Sequence, residues 1–263
     1  MEIKPKKSLG QNFLIDKNII NKIINATSIT SDNHILEIGP GTGNLTEFII
    51  KKNPEKIFVI EKDKKLVNLL HNKFKNQIKI LNEDILNVSE NLISKEKLIV
   101  FGNLPFNIST QILSKWITTA YKKTWYKNFI LMFQKEVADR ILAKTDSKKY
   151  GRLTILSNWK LNVEKIIDIN PSCFLPKPKI KSTLLKFTPK NEFYKFDNPK
   201  NLEFITRIFF NQRRKKIKNP LKQIFGNSKN YVEKLNLNLN LRPQNLSPET
   251  YYRITKEYEA LRR

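Results

Sequence analysis

The run His34-Ile35-Leu36-Glu37-Ile38-Gly39-Pro40-Gly41-Thr42-Gly43 constrains the fold more than any other stretch of this chain. Its first half is an apolar run that reads as a buried strand. Glycine then recurs at every second position, which lets the backbone turn sharply and approach a ligand closely, because no side chain intervenes. From Asn44 to Lys52 the period changes, and Leu45, Phe48 and Ile49 share one face of a helix. The spacing is G-x-G-x-G, not the G-x-G-x-x-G of a dinucleotide site.

The same alternation continues downstream. Lys56 to Ile60, Ile78 to Leu81, Leu98 to Phe101 and Phe129 to Phe133 read as strands. Lys64 to Phe74, Ser109 to Ala120 and Lys135 to Ala143 read as helices. Strand alternating with helix implies an α/β fold, a parallel sheet with helices on both faces. After Pro171 prolines punctuate the chain, and Ser182 to Phe187 reads as a last strand returning to the sheet. Beyond Asp197 only helical periodicity remains, over Asn201 to Arg214, Ile217 to Phe225, Lys229 to Leu235 and Pro248 to Leu261. Two domains are expected, 1–190 and a small all-helical one over 191–263.

Two acids accompany the glycine loop. Glu61 follows the second strand, about 20 residues beyond the glycines, where a carboxylate accepts both ribose hydroxyls of a nucleoside. Asp84 follows the third strand and can accept from an adenine amino group. Singly, each is an ordinary solvated acid and the loop an ordinary tight turn. Together they converge at the C-terminal ends of successive parallel strands, where such sheets bind ligands. The G-x-G-x-G form is similar to the S-adenosylmethionine loop of Rossmann-like class I methyltransferases.

The fourth strand ends in Asn103-Leu104-Pro105-Phe106. The exocyclic amine of adenine is a poor nucleophile, its lone pair being delocalised into the ring. An Asn103 oxygen and a carbonyl at Leu104 can accept its two N–H bonds and favour a localised lone pair. Pro105 stiffens the turn and donates no competing N–H, and Phe106 can stack on the base. Catalysis is then positioning and electrostatics. In isolation the four residues would be a strand-to-helix turn. Downstream of the glycine loop, Glu61 and Asp84 they read as a methyl-transfer site.

Composition excludes several classes. One cysteine, Cys173, permits no internal disulfide and no cysteine zinc site, and two histidines are few for a histidine metal cluster, so no metal is expected. No run of about 18 apolar residues reads as a membrane span, and the basic N-terminus lacks a secretory pattern, so the cytoplasm is the expected compartment. The net charge is +25, from 49 Lys and Arg against 24 Asp and Glu. Lys190 to Arg263 holds 17 basic and 7 acidic residues, so +10, and the remainder carries +15. Both parts suit a polyanionic partner, although only nine basic residues are arginine and abundant Lys, Asn and Ile point to A/T-rich codon usage. The densest basic run holds Arg213, Arg214, Lys215 and Lys216 and reads as a phosphate-contacting helix end.

Six motifs in order resemble those of the KsgA-type ribosomal RNA adenine dimethyltransferases, over almost the full length. They are Ser8 to Leu14, Glu37 to Gly43, Gly102 to Ser109, Gln134 to Val137, Tyr150 to Leu153 and Phe210 to Lys215. The resemblance implies that Asn12, Leu14, Gly39, Gly41, Glu61, Asp84 and Asn103 surround S-adenosylmethionine, that 8–14 closes over it, and that Asn103 to Phe106 are catalytic. It further implies action on the small ribosomal subunit, dimethylating two adjacent adenines in the 3′-terminal hairpin loop of its 16S rRNA; a monomer is expected. Two departures stand out: Phe106 where the family usually has tyrosine, and the lysine-rich 177–182, with Lys181 near a usual acid. Competing readings are a large-subunit rRNA adenine methyltransferase giving antibiotic resistance, a non-catalytic RNA-binding or transcription-assisting module, and a DNA adenine methyltransferase.

Overall fold

A computed structural model describes residues 5–6, 9–119, 124–226 and 230–262. Ser8 of the first motif, and Ala120 and Lys229 of the expected helices, lie outside the described residues.

The chain opens with a short strand β1 (Phe13–Leu14) and helix α1 (Lys17–Ile24), capped by Asp16, whose side chain accepts from the backbone of Asn18 and Ile19. Then follow β2 (His34–Ile38), α2 (Asn44–Ile50), β3 (Lys56–Ile60), α3 (Lys64–Phe74), β4 (Lys79–Leu81) and β5 (Leu98–Asn103). Next come α4 (Ser109–Thr119), β6 (Tyr126–Gln134), α5 (Lys135–Ile141), α6 (Arg152–Lys160), β7 (Leu161–Ile169), β8 (Phe174–Leu175) and β9 (Ser182–Pro189). The last elements are helices: α7 (Lys200–Asn211), α8 (Lys218–Phe225), α9 (Asn230–Leu235) and α10 (Pro248–Ala260).

Among the described residues, seven strands form one sheet in the order β4-β3-β2-β5-β6-β9-β7. β2 pairs in parallel with both β3 and β5, β3 with β4, and β5 with β6, whereas β9 runs antiparallel to β6. All five residues of β2 are buried, as the central strand of a sheet covered on both faces must be. The strand order reverses between β2 and β5, so their C-terminal ends part into a crevice. Ile35, Ile49, Val59, Leu70 and Phe101, all but inaccessible to solvent, belong to the core on which α1 to α3 pack.

Cα packing separates two units: Met1–Leu113 with Lys123–Ala138 and Val163–Pro189, and Ser114–Lys122 with Asp139–Asn162 and Lys190–Arg263. The second thus draws in two segments that precede residue 191. Within it three tyrosine hydroxyls donate to backbone: Tyr150 to Leu246 O, Tyr251 to Pro243 O and Tyr252 to Ile155 O, at 2.6–2.9 Å. The Glu259 carboxylate of α10 accepts from the backbone of Asp197 and Asn198, ahead of α7.

Three elements differ from the expectation, α6 and α7 for physical reasons. α6 is buried on nearly every side, so it shows no polar face by which to recognise it. α1 is absent from the elements expected above, although its stripe of Ile20, Ile23 and Ile24 is buried. α7 ends at Asn211, three residues before the expected Arg214, and the basic run lies in a turn, not on a helix end. There the Arg213 guanidinium bonds to the carbonyls of Ser147 and Lys148 and to Gln244, and these tertiary bonds override helix propensity.

Candidate active site

The glycine loop leaves β2 with Gly39, Gly41 and Gly43 at φ of +63, +59 and +79°, the left-handed region that side chains rarely adopt. At two of these positions space is as restrictive as conformation. A Cβ on Gly41 would fall 2.7 Å from the Phe13 ring, and one on Gly43 2.4 Å from the Phe74 ring. The Gly39 N–H donates to Ile60 O at 2.9 Å, which ties the loop to the end of β3.

Glu61 stands at that end, only 7% exposed, and its Oε1 accepts the Asp63 N–H at 2.8 Å. Burial raises its pKa, opposed by backbone N–H groups of Asp63, Gly41 and Lys62. The acid and the glycine loop are therefore one hydrogen-bonded unit. Asp84 also lines the cleft; its Oδ2 pairs with Lys62 Nζ at 2.8 Å and its Oδ1 accepts from Leu86 N. Glu37 lies wholly buried beneath the loop, accepting from the Thr46 hydroxyl at 2.6 Å. Burial, with the Glu61 charge adding to it, pushes its pKa up to about 7.

Asn103 closes β5 beside the loop, and a Cβ on Gly39 would lie 3.8 Å from its carbonyl oxygen. The Asn103 amide nitrogen donates to Asn12 O at 2.8 Å. With the nitrogen so used, the amide oxygen is the atom left to accept. Leu104 is 1% exposed, its side chain folded back over Gly102. Pro105 and Phe106 are half-buried on the cleft wall, and Gly10 lies against Pro105 and Asn107. The structure thus brings Asn12, Leu14, Gly39, Gly41, Glu61, Asp84 and Asn103 to Phe106 around a single cleft.

Several residues there escaped the sequence reasoning. Asn44 Nδ2 donates to Leu14 O at 2.7 Å, holding the N-terminal strand onto the first turn of α2. Asp63 caps α3 and takes Lys6 Nζ at 2.8 Å and Gln11 Nε2 at 3.2 Å. Burial works against its ionisation, but Lys6, the Lys65 N–H and Gln11 outweigh it and hold its pKa below the usual range. A legible signal for Asp63 was an aspartate immediately ahead of the Lys64 to Phe74 helix.

Among the described residues, the charged ones lining the cleft are Glu37, Glu61, Glu83, Asp84 and Lys62. Inside a chain of net charge +25, this is an acidic pocket. The turn after α7 is its opposite. Arg214, Lys215 and Lys216 are exposed; Lys216 Nζ donates to Asn240 at 2.9 Å, while Arg213 is half-buried with its guanidinium engaged as above. Lys148, Phe210, Arg213, Arg214 and Lys215 border a shallow depression there, wholly within the second unit.

A mostly parallel sheet with a left-handed glycine loop, a bonded acid after the next strand and an Asn-Leu-Pro-Phe turn at the crevice is the framework of a Rossmann-like class I methyltransferase. The model of the ribosomal RNA adenine dimethylase family matches residues 3–260, and the chain belongs to that family. It is 59% identical over 262 residues to the Pelagibacter ubique protein named ribosomal RNA small subunit methyltransferase A, covering 100% of both. The crystal structure of a dimethyladenosine transferase from Plasmodium falciparum superposes with a TM-score of 0.80 at 26% identity, over 94% of this chain and 97% of that one. The 23S rRNA methyltransferase ErmE shares the fold, with a TM-score of 0.69 at 20% identity over 95% of this chain and 100% of that one.

Proposed function

We propose that this protein uses S-adenosylmethionine to dimethylate the exocyclic amine of two adjacent adenines in the 3′-terminal hairpin loop of small-subunit rRNA. The observation that carries the reading is Asn103, its amide nitrogen bonded to Asn12 and its oxygen left to accept, at the edge of an acidic glycine-loop cleft. Membership of the rRNA adenine dimethylase family supports the reaction, and the 59% identity to a protein named for the small subunit supports the substrate.

The residues present fit the cofactor. A nucleoside bearing a cationic sulfonium suits a cleft whose described residues hold four carboxyl groups and one lysine, which would repel the phosphates of a dinucleotide. Glu61 is positioned to accept the ribose hydroxyls, and Asp84 an adenine amino group, with Asn12, Leu14, Gly39 and Gly41 completing the cradle. When bound, S-adenosylmethionine supplies an electrophilic methyl group. The protein's task is to present the target amine. The Asn103 oxygen and the Leu104 carbonyl accept its N–H bonds, so its lone pair is withdrawn from the ring. Phe106 stacks on the base and needs no phenolic hydroxyl to do so. No general base is required, because the amine becomes acidic once alkylated.

The helical part, 191–263, serves as an RNA-binding domain, with Arg213, Arg214, Lys215 and Lys216 at the phosphate-facing turn. Among the described residues no helix is long and apolar enough to cross a membrane. The reading places the protein in the cytoplasm as a monomer, with the assembling small subunit as its partner. Incubation with separated undermethylated subunits and labelled cofactor, followed by mapping of the modified bases, tests it. Label on adjacent adenines of the small subunit is expected; label confined to the large subunit would overturn it.

A further inference from the structure

The lysine-rich departure at 177–181 lies in the loop between β8 and β9. Lys177, Lys179 and Lys181 are exposed there, beside the exposed apolar side chains of Leu175 and Ile180. None of the three ammonium groups has a partner among the described residues. A lysine run alone would be a solvated loop. What distinguishes this one is its attachment. β8 pairs with β1 in a two-stranded antiparallel ribbon, Phe13 opposite Leu175 and Leu14 opposite Phe174, and Ile15 N donates to Cys173 O at 2.9 Å. On its other side β1 is built into the cleft. The Phe13 ring covers Gly41, Asn12 O holds Asn103 and Leu14 O holds Asn44. One strand of two residues therefore joins the lysine loop to the glycine loop and to Asn103, all within the first unit.

A ribbon of two residues per strand is marginal by itself, so whatever orders one strand stabilises the other. A ligand fixing 176–181 and a ligand fixing 12–14 then share one ordering cost, and each tightens the other. We propose that the 176–181 loop is a phosphate-binding arm for the RNA substrate, and that its ribbon pairing with the Phe13–Leu14 strand couples RNA binding to retention of the cofactor. The inference rests on the RNA methyl-transfer reading given above. Charge identifies the occupant: three unpaired cations on a loop with exposed apolar side chains match the phosphates and base faces of single-stranded or loop RNA.

Affinity for S-adenosylhomocysteine, which allows no turnover, is measured calorimetrically on the full chain with and without a saturating hairpin RNA bearing two adjacent loop adenines. Wild type is expected to bind it about fivefold tighter, or more, with RNA present. The triple variant Lys177→Gln, Lys179→Gln, Lys181→Gln is expected to keep wild-type affinity without RNA and to lose the tightening. Its salt slope for RNA is expected to fall by about 2, three phosphate contacts at roughly 0.7 each. Ile15→Pro, which removes the bond to Cys173 O, is expected to keep the RNA salt slope and lose the coupling. Equal cofactor affinity with and without RNA in wild type would overturn the coupling, and an unchanged salt slope in the triple variant would overturn the arm. Methyl transfer to undermethylated small subunits is run alongside. Transfer without coupling sinks this inference alone, whereas absence of transfer by wild type sinks the reading beneath it.

Discussion

The cleft and the turn after α7 carry opposite charge in one chain. Among the described residues the cleft gathers four carboxyl groups around one lysine; Glu37 and Glu61 are buried, Asp84 and Asn103 half-buried, and Glu61 and Asn103 are bonded to backbone. The turn displays Arg214, Lys215 and Lys216 to solvent. A net charge of +25 describes neither. The cleft recognises by fixed geometry at low dielectric, where one misplaced group costs much. Under the proposed function the turn serves recognition by field, where each cation adds a small, salt-screened increment. Variants in the two regions should therefore differ in size, in salt response and in which kinetic constant they move.

The sharpest contrast comes from Asn103→Ala. It is expected to lower kcat by roughly 10²–10³ while the cofactor dissociation constant, read by calorimetry, stays within severalfold. Turnover at the wild-type rate would erase the distinction between a positioning cleft and a binding surface.

Next in size is a pH effect of opposite sign in the two units. Glu37, in the first, has its pKa raised by burial from 4.5 to about 7. The folded state then holds a proton that the unfolded chain releases, so its stabilising share is full below pH 4.5 and is lost as pH rises through 7. Lys160, in the second, is 3% exposed, donates to Ile117 O at 2.8 Å, and has its pKa lowered by burial from 10.5 to about 8. There the unfolded chain holds the extra proton, so stability climbs between pH 8 and 10.5. Each amounts to about 3 kcal/mol across its window. Urea denaturation at stepped pH, on wild type, Glu37→Gln and Lys160→Met, should flatten the acid-side slope in the first variant and the alkaline-side slope in the second. Unaltered slopes would mean that neither group governs its window.

Glu61→Gln should weaken cofactor binding roughly tenfold, since a hydrogen bond to a charged group is replaced by one to a neutral amide. The expected signature is a raised KM for the cofactor with kcat at saturation little altered. A fall confined to kcat would move Glu61 out of the binding role.

The smallest effects lie in the turn and are the most diagnostic. Arg214→Gln should reduce the RNA salt slope by about 0.7, one phosphate contact. Arg213→Gln should weaken RNA binding while moving that slope less, because its guanidinium is already bonded to Ser147, Lys148 and Gln244. Identical slope changes would show that both arginines contact phosphate directly.

Much of this was legible before any coordinates. Lys56–Ile60 and Lys64–Phe74 match their expected bounds residue for residue, because an apolar run and an amphipathic stripe leave few alternatives. The glycine loop, Glu61 and Asp84 come together as their strand-end positions require. α6 was hidden because burial on nearly every side removes the polar face that periodicity needs. Lys160 and Glu37 were unreadable for a related reason: a charged residue in one sequence carries no mark of whether its neighbours exclude water.

From the amino-acid order alone came the alternating α/β plan, the turn that only glycine can make, and the residue types that suit a nucleoside and an adenine amine. Those follow from local conformation and from spacing along a strand or helix. Tertiary structure alone decided that β9 returns antiparallel to β6, that Asn12 orients the Asn103 amide and that Arg213 holds a distant loop. It alone decided that a strand of two residues joins the lysine loop to the cleft. These depend on partners as far as 162 residues apart along the chain, such as Phe13 and Leu175. Local preference has no access to such contacts, because the chain-closure entropy they cost is offset only once the whole core has formed.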